Sequence, residues 1–577
     1  MKRRLVLQLV FPFFVVACQQ GPDEIQTDGV PADTVLTSAR IYTVNADKPW
    51  AEAVAILDGK YIFVGDAVAA DAYIGEHTEV IDLEGRMAMP GVNDTHAHAW
   101  QGGTKELFEC NFSFSATPDE IAAIVQGCVE SDDDVSWITG GQWTSNFFVD
   151  NSIGSPKEWL DEFSGDKAIY FEDDATHNAW VNSKALELAG IDASTPDPDG
   201  GAFVRGDDGE PNGLVLETAK PIIENAIPDL THEQNMAAIA EAVRLANYFG
   251  LTGINEARTP PEVSPAYQQL DLEGRLTAYA ITSLQTPRGQ RSEPFDVTEL
   301  VAVAERYASP HVHTKFAKFF LDGVPTVSRS GLMLEPYVTN DEYPEATRGH
   351  SLIEQDALTA DLIELDKRGI TTKMHAAGDG AVRLALDAVE QVRKTNGSSG
   401  LRHEIAHAGY IHPEDVPRFA ELNVTVDLSP YLWFPRPIHD SIRAAIGERA
   451  LYYWPIRDLL DSGANVAPGS DWPSVAESLN PWPAIEGLVT RRNPYTDGEE
   501  ALWPEQAITL EEALKVFTLD GATAYRLEQI TGSIEVGKSA DLIVLDRNLF
   551  EVPVESISET KVEQTFFQGQ LVYETEK

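Results

Sequence analysis

The sequence predicts an α/β protein: a parallel (β/α)8 barrel, a small sheet domain completed by both ends of the chain, and an insertion after the first barrel strand. Three observations lead there. Eight apolar, strand-like runs recur between Met89 and Pro473, with helical stretches between several of them, the alternation that a parallel barrel requires. Both ends of the chain carry shorter strand runs with tight-turn dipeptides, although the whole barrel sequence lies between them. The segment from about Trp100 to Pro228 separates the first two barrel runs and has strand signals of its own, "WITGGQW" and "KAIYFED", so it reads as an insertion at the barrel mouth.

Taken in order, the chain starts with "MKRRLVLQLVFPFFVVACQQ": a basic start, an apolar run too short to span a membrane comfortably, and Cys18. This has the form of a signal peptide over residues 1–17, followed by a linker over 18–34. "VVAC" resembles the lipobox of bacterial lipoproteins, in which Cys18 becomes the lipidated first residue. Val15 departs from the usual leucine, so simple secretion stays open. The expectation is an exported protein on the periplasmic or outer-membrane side, attached to membrane only through a lipid on Cys18. The formal net charge of −49 is dispersed along the 577 residues, which argues against nucleic acid and anionic membrane surfaces as partners. Cys110 and Cys128 remain, as one disulfide or as two buried thiols.

The small domain is expected over residues 35–88 and 532–577. Its strands are "ARIYTV", "AVAIL" and "YIFVG", the last two joined at Asp58-Gly59, and at the other end "ADLIVLD" and a hairpin turning at Gln568-Gly569. Residues 89–531 hold the barrel, with the strands "MPGVNDTHAH", "LTGINEA", "RLTAYAI", "TKFAKFFLDG", "TTKMHAAG", "RHEIAHAG", "NVTVDLSP" and "NVAPGSDWP". Stretches such as "QNMAAIAEAVRLANYFG", "ALTADLIELDKRG" and "AVRLALDAVEQVRKT" supply helices between them.

The sixth run contains H-E-x-x-H, the zinc signature of many metalloproteases, which needs its two histidines one helical turn apart. The loop signal "NGSSG" before it and Gly409 and Pro413 after it leave little room for a helix. Read as a strand, the run puts His403 and His407 on one face, about 13 Å apart at roughly 3.3 Å per residue, too far to share an ion.

With the strands laid out, ligand-type residues recur near their C-terminal ends, where barrel active sites lie. His96 and His98 stand at i and i+2 on the first strand, Lys318 on the fourth, His375 on the fifth, His407 on the sixth and Asp471 on the eighth. A lone buried histidine is more often a hydrogen-bonded core residue than a ligand. Six such residues at matching ends of five strands are hard to ascribe to chance.

These motifs resemble the amidohydrolase superfamily, and within it the long amidohydrolase-3 or YtcJ-like group that includes N-substituted formamide deformylases. The resemblance runs from about Val35 to Tyr573 and rests on "MPGVNDTHAH", "THNAWVNSKALELAGI", "DGEPNGLVLE", "KFFLDG", "HAAGDGAV" and "GSIEVGKSADLIVLD". It implies a distorted TIM barrel with a small β-sandwich, a divalent metal, and hydrolysis of an amide or related carbon–nitrogen bond, not a peptide bond, in a small molecule. His96, His98, Lys318, His375, His407 and Asp471 carry over as site residues, with His403 structural. "PTVSRSGLML" departs from the group's glycine-rich segment after "LDGV", which bears on loop contacts to substrate.

Neutral imidazoles suit one or two zinc ions, with manganese or iron as alternatives, and Lys318 would bridge two ions only if carbamylated by carbon dioxide. The alternative for Lys318 is a salt-bridged lysine in a one-metal site. Lys315 falls on the opposite strand face. Asp471 is the expected catalytic proton carrier. His177 and the aromatics Trp100, Trp143, Trp433, Phe434 and Trp472 are candidates for the substrate pocket or for packing, and Arg329 or Arg436 for meeting a substrate carboxylate. Asp322 and Asp379 read as turn or supporting residues. A non-catalytic substrate-binding lipoprotein on the same fold, or a dipeptidase or cyclic-amide hydrolase, are the competing functions.

Overall fold

A computed structural model describes residues 29–131, 136–144, 147–174, 176–198, 200–326, 328–341, 343–431, 437–474, 476–496 and 500–575. Cys18 and the expected signal peptide lie outside the described residues. Among those residues no helix is long and apolar enough to cross a membrane.

Eight parallel strands form the barrel: β1 (Val92–Ala97), β2 (Leu251–Thr259), β3 (Tyr279–Gln285), β4 (Val312–Phe320), β5 (Thr371–Ala376), β6 (His403–His407), β7 (Val424–Leu428) and β8 (Asn465–Pro468). Each pairs with its neighbour in chain order. The last seam closes differently. The loop after β8 reaches back to β1, with Asp471 N donating to His96 O at 2.6 Å and His98 N to Trp472 O at 2.7 Å. A side chain at Gly469 would have its Cβ 2.3 Å from His96 N, so only glycine permits this approach. Closure and placement of Asp471 are thus one structural event.

The helices outside the barrel follow from local sequence. Helix α1 (His232–Tyr248) opens on a capping box between Thr231 and Gln234. Helix α2 (Gln355–Lys367) packs beside α3 (Asp379–Asn396), which buries Ala381, Val382, Ala385, Leu386, Val389 and Val392 along one face.

Strands from both ends of the chain share one sheet: Met87–Pro90 lies between Arg40–Tyr42 and Leu542–Leu545. A four-stranded sheet built on Thr34–Thr37 and Ala53–Leu57 packs on it, with Leu36, Val54 and Ile56 meeting Ala88, Leu542, Val544 and Phe566. Both dipeptide turns have positive φ, +49° and +73° at Asp58-Gly59 and +51° and +72° at Gln568-Gly569, the conformation that a two-residue hairpin of this hand needs.

The insertion forms a six-stranded sheet of its own. Its strand Ala168–Asp173 buries both faces, Ile169 and Phe171 in one apolar cluster and Ala168 and Tyr170 in another, as period-two alternation dictates. Cys110 and Cys128 form a disulfide within it.

One expectation from strand alternation needs correction. His403 faces outward, its Nδ1 2.9 Å from Thr372 Oγ1 and its Nε2 3.2 Å from Asp366 of α2, whereas His407 faces the barrel mouth. The two are not on one face because β6 ends at His407, where φ is +66°, and Ala408 follows at +40°. This left-handed turn carries the His407 ring inward.

Candidate metal centre

Six side chains from five strand ends converge at the mouth. His96 sits inside β1, and its Nδ1 is 2.7 Å from Asp427 Oδ2 of β7, which orients Nε2 toward the mouth. That Nε2 is 3.5 Å from Asp471 Oδ1 and 3.2 Å from Lys318 Nζ. His98, at the start of the following helix, places Nε2 3.4 Å from the same Asp471 oxygen. His407 Nδ1 is 4.0 Å from Asp471 Oδ2, and the His407 ring lies 4.7 Å from that of His96 and 4.5 Å from that of His375. His96, His407 and Asp471 offer ligand atoms all within 4.8 Å of one another. Asp471 holds this place with φ +60°, a strained backbone of the kind found where geometry serves a site.

Burial sets the protonation states. It drives the His96, His98 and His407 imidazoles well below their ordinary range, and the Lys318 cation adds to the effect in all three. His375 falls to about 3 for the same two reasons. Burial also lowers Lys318 to about 7, with the Lys373 cation contributing, and raises Asp471 well above the carboxylate range although Lys318 opposes it. Such a cluster disfavours fixed charge of either sign. Its lone pairs are those that a divalent cation takes from nitrogen and oxygen donors, and a cation would return Asp471 to its carboxylate form. The residues present fit a metal.

Supporting groups surround it. Asp427 also contacts Lys373, which pairs in turn with Glu404, all three fully buried and a pleat deeper in the barrel. Asp94 accepts from His96 N at 3.1 Å and Ser470 N at 3.0 Å, tying β1 to the loop that carries Asp471. Asp322 accepts from Leu332 N, Ala377 N and Gly378 N, and so fixes the loops after β4 and β5. Asp379 accepts from Leu334 N and supports the same loop.

The cavity over the centre is lined by His98, Lys318, His375, His407 and Asp471, by the apolar Phe320, Val324, Ile438, Ile442 and Tyr453, and by His177 of the insertion. Glu217 holds His177 Nδ1 at 2.8 Å; burial opposes its protonation, but this carboxylate outweighs it and raises the imidazole. Trp143 does not line the cavity. It packs with Phe148, Phe171 and Trp180 in the insertion core, because a register shift between Gly141 and Trp143 takes it off the Trp137 face that strict alternation would give it and onto the face of Ile138. Arg329 is also turned away, donating to Val338 O at 2.7 Å with its guanidinium 4.1 Å over the Tyr343 ring. Trp100 donates to Asn235, and Trp472 packs against Gly102. Trp433, Phe434 and Arg436 lie outside the described residues. Sequence reasoning passed over Asp427 and Lys373, although a lone charged residue inside an apolar strand run, as Asp427 in "VTVDL", is a signal for a paired interior charge.

Residues 79–573 match the amidohydrolase family. The chain belongs to that family. Membership accounts for the donor set, and the protein is a metal-dependent hydrolase of carbon–nitrogen bonds in small molecules. Among amidohydrolase relatives, it is 28% identical to the protein LONG AFTER FAR-RED 3 of Arabidopsis thaliana over 94% of this chain and 92% of that one. It is 26% identical to the N-substituted formamide deformylase of Arthrobacter pascens, over 94% and 98%. An uncharacterized metal-dependent hydrolase from Pyrococcus horikoshii OT3 shares the fold, with a TM-score of 0.71, 22% identity, and coverage of 90% of this chain and 99% of that one.

Proposed function

We propose that this amidohydrolase releases an amine from a small N-formyl or N-acyl amine, using one or two zinc ions and Asp471 as the proton carrier. The observation that carries this reading is the convergence of His96, His407 and Asp471 within 4.8 Å, with His98, Lys318 and His375 lining the same cavity. These six residues would hold the metal, and manganese or iron suits the same donors. A divalent ion there supplies Lewis acidity, polarising the scissile carbonyl and acidifying the attacking water.

Asp471 takes up the proton lost by that water and passes it to the departing nitrogen. Asp427 keeps His96 in the tautomer that presents Nε2 to the mouth. Lys318 is fully buried beside His96 Nε2, and burial lowers its amine to about 7, so that at neutral pH much more of it than of an ordinary lysine is in the uncharged form that adds carbon dioxide. We therefore read Lys318 as the residue that would be carbamylated, and its carbamate would offer oxygen donors to a divalent metal. His177, steadied by Glu217, faces the substrate from the insertion. The N-terminal sequence supports export as a lipoprotein anchored through Cys18.

Metal content by mass spectrometry, paired with turnover of an N-formyl and N-acyl amine panel, tests the hydrolase reading. Stoichiometric zinc with amine release is expected. A fully metallated protein that releases no amine from any member would refute it. Carbon-13 NMR after labelling with carbon dioxide should show a carbamate signal that Lys318→Ala removes, and intact-mass analysis of membrane-fraction protein should show the lipid.

A further inference from the structure

We propose that the ends of β2 and β3 form an anion-binding subsite from Arg258 and Arg288, so that the amide cleaved here carries a carboxylate. This rests on the hydrolase reading above and adds the substrate's charge to it. Arg258 is the penultimate residue of β2, and Arg288 stands three residues beyond the end of β3. In a parallel barrel both positions open at the same mouth as the metal centre. The Arg288 guanidinium stacks 4.7 Å over the ring of Phe320, which lines the cavity.

Neither arginine forms an ion pair or side-chain hydrogen bond among the described residues: Arg288 is exposed at the rim, whereas Arg258 is part-buried with its Nε lacking an acceptor. This occurs in a chain with 92 acidic residues against 43 lysines and arginines. The carboxylates that face the pair are already engaged. Glu172 pairs with Lys220 at 2.7 Å, Glu217 holds His177 at 2.8 Å, and Glu224 accepts from the Tyr170 hydroxyl at 2.8 Å. Glu256 accepts from Trp100 N at 2.7 Å and from the Tyr267 hydroxyl at 2.9 Å. The Arg258 cation disfavours charge on Arg288, and a buried donor without an acceptor costs further free energy. A ligand carboxylate relieves both, since each planar fork can donate to it. The cavity's Phe320, Ile438, Ile442 and Tyr453 suit an apolar body on the same molecule. N-acylated amino acids and half-amides of dicarboxylic acids are the two classes with this combination.

Three probes separate the cases: N-acetylphenylalanine, with the carboxylate on the amine side; N-phenethylsuccinamic acid, with it on the acyl side; and neutral N-acetylphenethylamine. The metal-loaded enzyme should prefer at least one anionic probe over the neutral one in kcat/KM by roughly 10- to 100-fold, the range of a charge-assisted hydrogen bond. In Arg258→Gln and Arg288→Gln that ratio should fall toward one, with melting temperature and metal content reporting on folding. Calorimetric titration of the same probes gives a readout independent of turnover, in which the variants should lose anionic-probe affinity by at least about tenfold. Equal preference for neutral and anionic probes in the wild type, or variants that keep the preference, overturns the subsite. If no probe turns over but calorimetry still shows arginine-dependent anion binding, the N-acyl amine reading fails and the subsite stands.

Discussion

Two buried charge clusters lie next to each other in this barrel and behave in opposite ways. In the deeper one, Lys373 is held between Glu404 and Asp427, and although burial opposes its charge, the two carboxylates keep it a cation. In the outer one, Asp471 comes no closer than 3.4 Å to the nitrogens of His96, His98 and His407, burial drives those imidazoles toward the neutral form, and Asp471 is raised. The deeper cluster has its counter-charges built in, whereas the outer one is arranged to receive a cation. Asp427 belongs to both, pairing with Lys373 on one side and orienting His96 on the other. The fixed charges of the interior thereby aim the ligands of the site.

Perturbing each cluster tests this division. The largest catalytic effect is expected from Asp471→Asn, which keeps the shape but removes the basic carboxylate. Turnover of amides should fall by roughly 10² to 10⁴-fold, and at matched metal content activated esters should fall less, since their leaving groups need no proton. Equal losses for both would give Asp471 a ligand role alone. Lys373→Met strikes the deeper cluster, leaving Glu404 and Asp427 buried without their cation. A stability loss of about 3–5 kcal/mol in denaturant titration is expected, and a change under about 1 kcal/mol would show that the cluster is not held by its ion pairs.

Asp427→Asn tests the link between the clusters. Metal affinity should drop roughly 10- to 100-fold, read by competition with a chromophoric chelator. Unchanged affinity would mean that His96 is oriented by packing alone. Removing metal with a chelator should abolish turnover and lower the melting temperature, with about 2.7 kcal/mol recovered at an ion concentration 100 times its dissociation constant. The smallest effect is expected from His403→Ala, about 1–3 kcal/mol of stability with metal content unchanged, whereas His407→Ala should lose metal. Metal loss from His403→Ala would revive the metalloprotease-like reading of "HEIAH".

Much of the site was legible because strand ends in a parallel barrel share one mouth, so six ligand-type residues at the ends of five strands already imply convergence. His177 was visible as a motif residue, but its pairing with Glu217 joins two strands of the insertion that sequence spacing does not relate. Trp143 and Arg329 show the limit from the other side: aromatic and cationic character near the mouth does not set direction, and their neighbours turn both away.

Taken alone, the sequence determined the eight strands, the insertion, the completion of one sheet by both chain ends, and the six candidate residues at the mouth, because each leaves a local pattern of alternation, turn chemistry or residue type. Tertiary structure alone decided which way the donors face and who supports them. Period-two alternation assigns His403 and His407 to one side, but the left-handed backbone at His407 sends them to opposite environments. Asp427 becomes a partner of His96 only through pairing across the barrel, and Asp471 reaches the centre only because Gly469 lets the last loop close on β1. Those outcomes depend on backbone torsions and on contacts between residues hundreds of positions apart, for which no local pattern exists.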